Sequence, residues 1–255
     1  MHALILGGTA EARDLARRLA DSGWDVTSSL AGRVDNPHLP VGRVRVGGFG
    51  GPAGLARWLV RNHVGVVIDS THPFAERISV SAAEAARATR IPLIALHRPE
   101  WAKVRGDEWI EVADMAEAAA VARDRFRRPF LTIGRQQLAP FAGDPEGFYL
   151  IRCVEPPSGP LPPNHKVILS RGPYDVAGER KIMRDWAVDC VVTKNSGGDA
   201  TYAKIEAARD LRKPVIMVRR PALPGEGLAT VVHSAEEAWA AAIGHRRAPR
   251  GPSAR

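Results

Sequence analysis

The sequence has few cysteines and no long apolar segment. Its 255 residues include two cysteines, Cys153 and Cys190, whose spacing matches no metal-binding or redox motif. No apolar run approaches the roughly 20 residues needed to cross a bilayer. The apolar run within residues 1–8 is too short for a signal peptide, and no cationic stretch precedes it. We therefore expect a reduced, cytoplasmic protein with no metal site and no membrane partner.

Acidic residues are scarcer than basic ones, 28 against 36, which gives a formal net charge of +8 and predicts an anionic partner. Four arginines fall within residues 246–255, a basic tail that we expect to be disordered, and they supply half of that excess. Only 6% of the residues are aromatic, and no helix-turn-helix or zinc-knuckle pattern is present, so nucleic acid is not the expected partner. A polyanionic small molecule fits the remaining charge better.

Two segments of the chain repeat each other. Ala85-Ala86-Arg87 corresponds to Ala207-Ala208-Arg209, 122 positions later, and both copies end in a proline. Apolar runs alternate with helix-period segments along the whole chain, a pattern typical of parallel sheets covered by helices on both faces. We predict an α/β fold with two parallel-sheet domains that arose by internal duplication, and an active-site cleft between them.

Arg127-Arg128-Pro129 is the predicted domain boundary, giving domains 1–128 and 129–245 and the tail 246–255. The copies differ just after the repeated apolar strand, where one reads Asp69-Ser-Thr-His-Pro-Phe74 and the other Thr193-Lys-Asn-Ser-Gly-Gly198. In open α/β sheets that position faces the ligand. We therefore expect one half to bind a cofactor and the other a substrate.

A proline-rich segment, Glu155–His165, interrupts the second half. Its five prolines exclude a helix or a central strand. Long loops in compact domains are often functional. The segment is either an inert surface linker or a lid, and the sequence favours neither.

Gly7, Gly8 and Thr9 join the first predicted strand to the first predicted helix, where dinucleotide-binding folds place their phosphate loop. Glycines let the backbone approach a pyrophosphate, and the N–H groups at the helix start attract anions. The complete G-x-G-x-x-G pattern is absent. The alternative is an ordinary glycine-rich turn with Thr9 as the helix N-cap.

The loop after the second predicted strand favours NADPH over NADH. It reads Ser28-Ser29-Leu30-Ala31-Gly32-Arg33, with no acidic residue before Asp35, whereas a free ribose 2′-hydroxyl usually meets an acid there. We expect Ser29 and Arg33 to lie near the adenosine 2′-phosphate. The alternative is that Arg33 is a solvated loop arginine.

Thr71 and His72 follow the fourth predicted strand, and we expect them to line the cofactor site. Imidazole titrates near neutral pH, so His72 is also a candidate proton donor. A histidine before a proline in a loop is more often a structural hydrogen-bonding group. Tyr174 is the second candidate donor, and a water molecule is the third.

Cationic and glycine-rich residues follow several strands of the second half and predict a site for carboxylates. Each cation taken alone would be a surface charge, but their repeated placement at strand ends favours one shared site. The predicted substrate-binding residues are Arg135, Arg171, Lys194, Asn195, Ser196, Gly197, Gly198 and Lys204.

Six motifs together resemble the precorrin-6A reductase family of cobalamin biosynthesis. They are LGGT-x-E-A-R, S-L-A-G-R, T-H-P-F-A, I-G-R-x-x-L-x-P-F, S-R-G-P-Y and V-T-K-N-S-G-G, and they extend from Leu6 towards Pro221. The resemblance implies NADPH-dependent reduction of one carbon–carbon double bond of precorrin-6A, giving precorrin-6B. It also implies two Rossmann-like domains that exchange their last strands, with coenzyme on the first domain and the anionic tetrapyrrole on the second.

Two other functions remain open at this stage. One is reduction of the cobalt-containing substrate of the anaerobic pathway, because no dedicated cobalt ligand would be required. The other is a non-catalytic, two-domain binder of anionic metabolites. For the reductase we expect a monomer that hands its product transiently to the next enzyme of the pathway.

Overall fold

A computed structural model describes residues 1–32, 39–224 and 227–247. Arg33 and the basic tail beyond residue 247 lie outside the described residues. The strands are β1 (His2–Leu6), β2 (Asp25–Leu30), β3 (Arg43–Val46), β4 (Val64–Asp69), β5 (Leu93–Leu96), β6 (Trp109–Val112), β7 (Pro129–Leu131), β8 (Tyr149–Cys153), β9 (His165–Leu169), β10 (Cys190–Lys194), β11 (Val215–Val218) and β12 (Thr230–Val232). The helices are α1 (Ala10–Asp21), α2 (Gly51–Arg61), α3 (Glu76–Thr89), α4 (Met115–Arg125), α5 (Val176–Asp185), α6 (Ala203–Asp210) and α7 (Ala235–Arg247).

The first compact unit consists of Met1–Pro99 together with Pro221–Arg255. Its six strands are all parallel, in the order β12-β5-β4-β1-β2-β3. By position this is the 3-2-1-4-5-6 arrangement of dinucleotide-binding folds, in which the strand order reverses between β1 and β4. The loops that follow these two strands therefore flank the expected ligand position.

Apolar helix faces explain the layers of this unit. Leu15 and Leu19 lie one turn apart on α1 and are fully buried against one face of the sheet, beside α7. Leu55 and Leu59 of α2 are buried with α3 against the other face. The sheet is thus covered by helices on both faces.

The second unit, Glu100–Arg220, repeats this design. Its strands are also parallel, in the order β6-β11-β10-β7-β8-β9, so each strand has a counterpart at the same position in the first sheet. The order reverses between β7 and β10. A short 3-10 helix, Ala139–Phe141, follows β7, whereas α1 follows the equivalent strand of the first unit. The prediction of two parallel-sheet α/β domains is confirmed.

The predicted boundary at residue 128 differs from the observed division. Strand β6 and helix α4 precede residue 128 but belong to the second unit, where Ile110 pairs with Ile216 of β11. Conversely, β12 completes the first sheet through Val231, which pairs with Ala95 of β5. Local periodicity predicts a strand but not its partner, so the boundary was wrong. The exchange of last strands implied by the resemblance is what the two sheets show.

The proline-rich segment is a surface excursion between β8 and β9. His165 is the first residue of β9 and not the end of the loop. No described helix is long and apolar enough to cross a membrane. Nor do the described residues contain a group of three or more His, Cys, Asp or Glu side chains placed to hold a metal ion.

Candidate functional site

The β1–α1 loop of the first unit has the backbone that a phosphate loop requires. Gly8 has φ +119°, which residues with a Cβ rarely adopt, and a Cβ built there would meet no atom within 4 Å. The N–H of Gly7 donates to the carbonyl of Ser29 at 2.9 Å, which ties this loop to the end of β2. The exposed glycine and the start of α1 fit a nucleotide pyrophosphate.

Thr9 is the N-cap of α1. Its hydroxyl accepts from the N–H of Ala12 at 3.1 Å and donates to the carbonyl of Ser70 at 2.9 Å. This hydroxyl therefore joins the β1 and β4 loops at the point where the strand order reverses. The capping role that was the alternative for Thr9 is confirmed, and its side chain is already engaged.

Glu11, in the first turn of α1, forms an ion pair with Arg98, which follows β5. The Oε1–Nη1 distance is 3.0 Å, and the two side chains are 29% and 18% exposed. Burial acts to raise the pKa of the Glu11 carboxyl. A hydrogen bond from its own backbone N–H and the charge of Arg98 outweigh that effect, so its pKa lies below the usual value.

The loop after β4 is organised by Asp69. Its buried carboxylate accepts from both the N–H and the hydroxyl of Thr71, at 3.1 and 2.7 Å. His72 is exposed, and its Nδ1 accepts from the N–H of Phe74 at 3.2 Å. In the neutral ring the proton therefore resides on Nε2. The structural hydrogen-bonding role of His72 is therefore present.

Ser29 is buried at the end of β2, in register with Arg45 of β3. The guanidinium of Arg45 donates to the carbonyls of Gly47 and Gly48 and stacks 3.8 Å from the centroid of the Phe49 ring. This arginine fixes the loop after β3, next to the predicted adenosine end of the site. Arg33 lies outside the described residues.

In the second unit, Lys194 ends β10 at the position where the strand order reverses. Burial lowers the pKa of its ammonium group to about 8. The two glycines that follow, Gly197 and Gly198, have φ +65° and +76°. Their N–H groups make no backbone hydrogen bond within the described residues, which suits them to an anionic ligand.

Asn195 was predicted to bind substrate, but its backbone N–H and its side chain are already engaged within the protein. Its N–H donates to the carbonyl of Val218 at 2.9 Å, and its side chain is bonded to the backbone of Trp101. The N–H of Ser196 likewise donates to the carbonyl of Lys194, at 2.7 Å. A long-range contact at Asn195 and a local turn at Ser196 therefore leave Gly197 and Gly198 as the predicted substrate-binding residues of this loop whose N–H groups make no backbone hydrogen bond within the described residues.

Arg135 follows β7 and is half-exposed, with Nη2 2.8 Å from a carboxylate oxygen of Glu155 at the start of the proline-rich segment. Arg171 is exposed. Of the predicted cations, Arg135 and Lys194 follow the two strands between which the order reverses. Arg171 follows the edge strand β9, two strands from β7.

Lys204 was predicted to bind substrate, but it is only 3% exposed. Its ammonium donates to the carbonyl of Thr201 at 2.9 Å and lies 4.9 Å from the Trp101 ring centroid. Burial, followed by the charge of Arg152 and opposed by Glu179, lowers its pKa to about 7. The amphipathic α6 turns this lysine inward, so Lys204 is a positioning residue for the loop before α6 and not a surface contact.

Arg152 and Glu179 form a buried ion pair that the sequence did not predict. The guanidinium also stacks 3.7 Å from the centroid of the Tyr174 ring. The Tyr174 hydroxyl donates to the carbonyl of Ser170 at 2.9 Å. Tyr174 is therefore held against the loop after β9, with its proton engaged.

Arg98 and Arg220 are the clearest residues that sequence reasoning missed. They lie 122 positions apart, each just before the matched prolines Pro99 and Pro221, so the repeat itself carried the signal. In the second unit Arg220 donates from Nε to the carbonyl of Asn195 at 3.2 Å. Each unit thus has an arginine just after the equivalent strand, β5 or β11. Arg98 is directed to the start of α1, and Arg220 is directed to the loop after β10.

Several known proteins are similar to this chain over most of its length. A precorrin-6A reductase of Rhodococcus erythropolis is 51% identical over 222 residues, which cover 87% of this chain and 90% of the relative. A solved CobK precorrin-6A reductase is 41% identical and superposes with a TM-score of 0.89 over 99% of this chain and 100% of that one. A cobalt-precorrin-6A reductase of Priestia megaterium is 30% identical over 236 residues, 86% of this chain and 90% of the relative.

The match to the family model extends across both units. The model described as precorrin-6x reductase CbiJ/CobK covers residues 2–242, and so includes both exchanged strands and both loops where the strand orders reverse. The chain therefore belongs to the precorrin-6x reductase family CbiJ/CobK and is an oxidoreductase.

Proposed function

We propose that this chain reduces one carbon–carbon double bond of precorrin-6A with NADPH, giving precorrin-6B. The observation that carries the proposal is that the family relationship spans both units while the loops at their equivalent strand ends differ. The loops of the first unit include a glycine turn at the start of α1, whereas those of the second unit have buried and exposed cations. That division suits a dinucleotide and a polycarboxylate.

The metal-free substrate is favoured over the cobalt-containing one. The relative named for precorrin-6A is 51% identical, whereas the one named for cobalt-precorrin-6A is 30% identical over a similar share of the chain. The macrocycle itself carries many carboxylates in either form. Both forms would use the same cations, so the choice rests on similarity and is tested by assay.

The first unit would hold the coenzyme, which supplies the hydride when bound. Gly7 and Gly8 allow the backbone to approach the pyrophosphate, and the start of α1 provides favourable charge. Ser29 and Arg33 contact the 2′-phosphate, which is the feature that selects NADPH. Thr71, held by Asp69, orients the loop after β4 beside the same ligand.

The second unit would hold the tetrapyrrole through its carboxylates. Arg135, Arg171 and Lys194 provide cations, and Gly197 and Gly198 provide backbone N–H groups. One exposed ion pair contributes only about 0–1 kcal/mol, so several must act together. The partly buried Lys194 gives the strongest single contact, because a desolvated ammonium is less screened by water.

Reduction also requires a proton on the carbon next to the hydride acceptor. We assign this role to His72 ahead of Tyr174, because an imidazole exchanges its proton near neutral pH, whereas the Tyr174 hydroxyl donates to the carbonyl of Ser170. His72→Asn should lower kcat while coenzyme affinity changes little. Equal kcat in wild type and in this variant would leave Tyr174 or a water molecule as the proton donor.

The decisive experiment is anaerobic incubation of the full chain with precorrin-6A and NADPH, following the absorbance of both. We expect stoichiometric loss of NADPH and conversion of the substrate chromophore. A parallel reaction with cobalt-precorrin-6A should be at least about tenfold slower in kcat/KM. Faster turnover of the cobalt form would assign the chain to the anaerobic reaction, and binding without turnover would make it a non-catalytic binder. We propose that the chain works in the cytoplasm as a monomer.

A further inference from the structure

A small pocket opens at the ends of β1, β4 and β5 in the first unit. Its lining consists of Thr9, Glu11, Ser70, Thr71, Pro73, Leu96 and Arg98. These residues surround the point where the strand order reverses, which is the position that a bound dinucleotide occupies in such sheets. The pocket contains one cation, Arg98, and one anion, Glu11, and they are paired with each other.

The Glu11 carboxylate occupies the position best suited to an anion. It lies in the first turn of α1, where it accepts the hydrogen bond of its own backbone N–H and the ion pair from Arg98. The same interactions keep its pKa below the usual value, so it is ionised at neutral pH. The helix start is therefore already neutralised by a side chain of this protein.

A pyrophosphate needs the same helix start and the same kind of cation. Two anions in one small pocket repel each other, and Arg98 cannot make a full ion pair with both. The backbone at Gly8 offers space for the phosphates but no positive side chain. Arg98 is the one cation among the described residues that line the pocket.

We propose that Glu11 is an internal competitor of the coenzyme: it holds Arg98 in the free protein, and binding of NADPH moves Arg98 from Glu11 to the pyrophosphate. This inference rests on the proposed function, since it takes a dinucleotide to be the ligand of the first unit. It assigns Arg98 as a coenzyme-binding residue and Glu11 as the residue that sets how tightly the coenzyme binds.

The test measures NADPH dissociation constants of full-length variants by fluorescence titration. Glu11→Gln keeps the shape of the side chain but removes the competing charge, and should bind NADPH about five- to tenfold more tightly than wild type. Arg98→Gln should bind at least about tenfold more weakly, and Arg98→Lys should fall between it and wild type. The matched control is Asp14→Asn, which removes a carboxylate one turn along α1 that pairs with Arg18. It should change affinity less than about twofold.

The double variant separates competition from general electrostatics. In wild type, part of the contact between Arg98 and coenzyme is offset by breaking its pair with Glu11. Replacing Arg98 should therefore weaken binding by a larger factor in the Glu11→Gln background than in wild type. The ligand 2′-AMP has no pyrophosphate, so its affinity should be the same in wild type, Glu11→Gln and Arg98→Gln.

A thermal measurement gives a readout that does not depend on turnover. Without coenzyme, Glu11→Gln should melt below wild type, because it loses an ion pair and a favourable charge at the helix start. With saturating NADPH, its Tm should rise by more than that of wild type. Circular dichroism confirms that each variant is folded.

Two results would overturn the inference while leaving the proposed function intact. They are weaker NADPH binding by Glu11→Gln, which would make Glu11 a ligand of the coenzyme, and unchanged binding by folded Arg98→Gln. A wild-type chain that binds neither NADPH nor NADH would instead reject the proposed coenzyme itself, and the inference with it.

Discussion

The side chain of Asn195 forms hydrogen bonds with both the backbone N–H and the backbone carbonyl of Trp101, in the way that a neighbouring β-strand would. Its Oδ1 accepts from the N–H of Trp101 at 2.9 Å, and its Nδ2 donates to the carbonyl of Trp101 at 3.1 Å. The indole of Trp101 donates in turn to the carbonyl of Gly198 at 2.8 Å. Trp101 stands where the chain enters the second unit, so these bonds fasten that entry to the loop after β10.

Asn195→Ala should therefore destabilise the second unit. It leaves the buried N–H and carbonyl of Trp101 unpaired, which should cost about 1–3 kcal/mol in the free energy of unfolding. Urea denaturation monitored by tryptophan fluorescence measures this change. The control is Asn164→Ala, which removes an exposed side-chain hydrogen bond to the carbonyl of Pro145 and should cost under about 1 kcal/mol. Equal costs for the two variants would show that the pairing with Trp101 contributes little.

Coenzyme choice should depend on Arg33. Arg33→Ala should raise the KM for NADPH about tenfold to a hundredfold and leave that for NADH nearly unchanged, because a charge-assisted phosphate contact contributes about 1.5–3 kcal/mol. Steady-state kinetics with both coenzymes test this. Arg17→Ala, on the exposed face of α1, is the control and should alter neither constant. A wild type that prefers NADH would reject the assignment.

Tetrapyrrole affinity should fall as the pH rises through about 8, the pKa of Lys194 in the free protein. Below this pH the lysine is charged and attracts a carboxylate, and above it the lysine is neutral. Lys194→Arg keeps its charge at every accessible pH and should remove the decline. Dissociation constants between about pH 6.5 and 9.5 are the measurement, with NADPH affinity as the internal control. A decline of equal size in Lys194→Arg would assign it to another group.

Lys204 should make the stability of the protein depend on pH. Its pKa is about 7 in the folded chain, against 10.5 in the reference state, so the unfolded chain binds more protons between these values. Stability should therefore rise with pH across that window, by at most about 1.4 kcal/mol per pH unit. Lys204→Met should remove this slope, with its largest relative gain at low pH.

The matched control for Lys204 is Lys181→Met, because Lys181 is exposed and pairs with Asp185 on the surface of α5. Urea denaturation at several pH values compares the three proteins. We expect Lys181→Met to follow the wild-type slope. If Lys204→Met does so too, the ammonium of Lys204 is not responsible for the slope.

The proline-rich segment Glu155–His165 should close over bound substrate. Limited proteolysis should cut within it in the free protein and spare it when the tetrapyrrole is saturating. Glu155→Gln loses the ion pair to Arg135 and should be cut faster in the free state. Identical cleavage of the free and ligand-saturated proteins would identify the segment as a passive linker.

The sequence predicted the features that depend on local pattern. Apolar runs fixed the strands, the 122-residue repeat predicted two similar sheets, and the glycines after β1 predicted a phosphate loop. The positive φ of Gly8 shows why a glycine stands there. These properties reside in neighbouring residues, because a strand or a turn is recognised by spacing and by the conformations that its residues allow.

Only the tertiary structure decided which strand completes which sheet and which way the polar side chains point. β6 and β12 are both short and are both followed by an alanine-rich helix, so the local pattern does not distinguish the sheet that each completes. The burial of Lys204 beside Trp101 and the pairing of Glu11 with Arg98 likewise join residues that are distant along the chain. Such contacts leave no periodic signal in the sequence, because they join residues that meet only when the chain folds, and periodicity reports only on neighbouring residues.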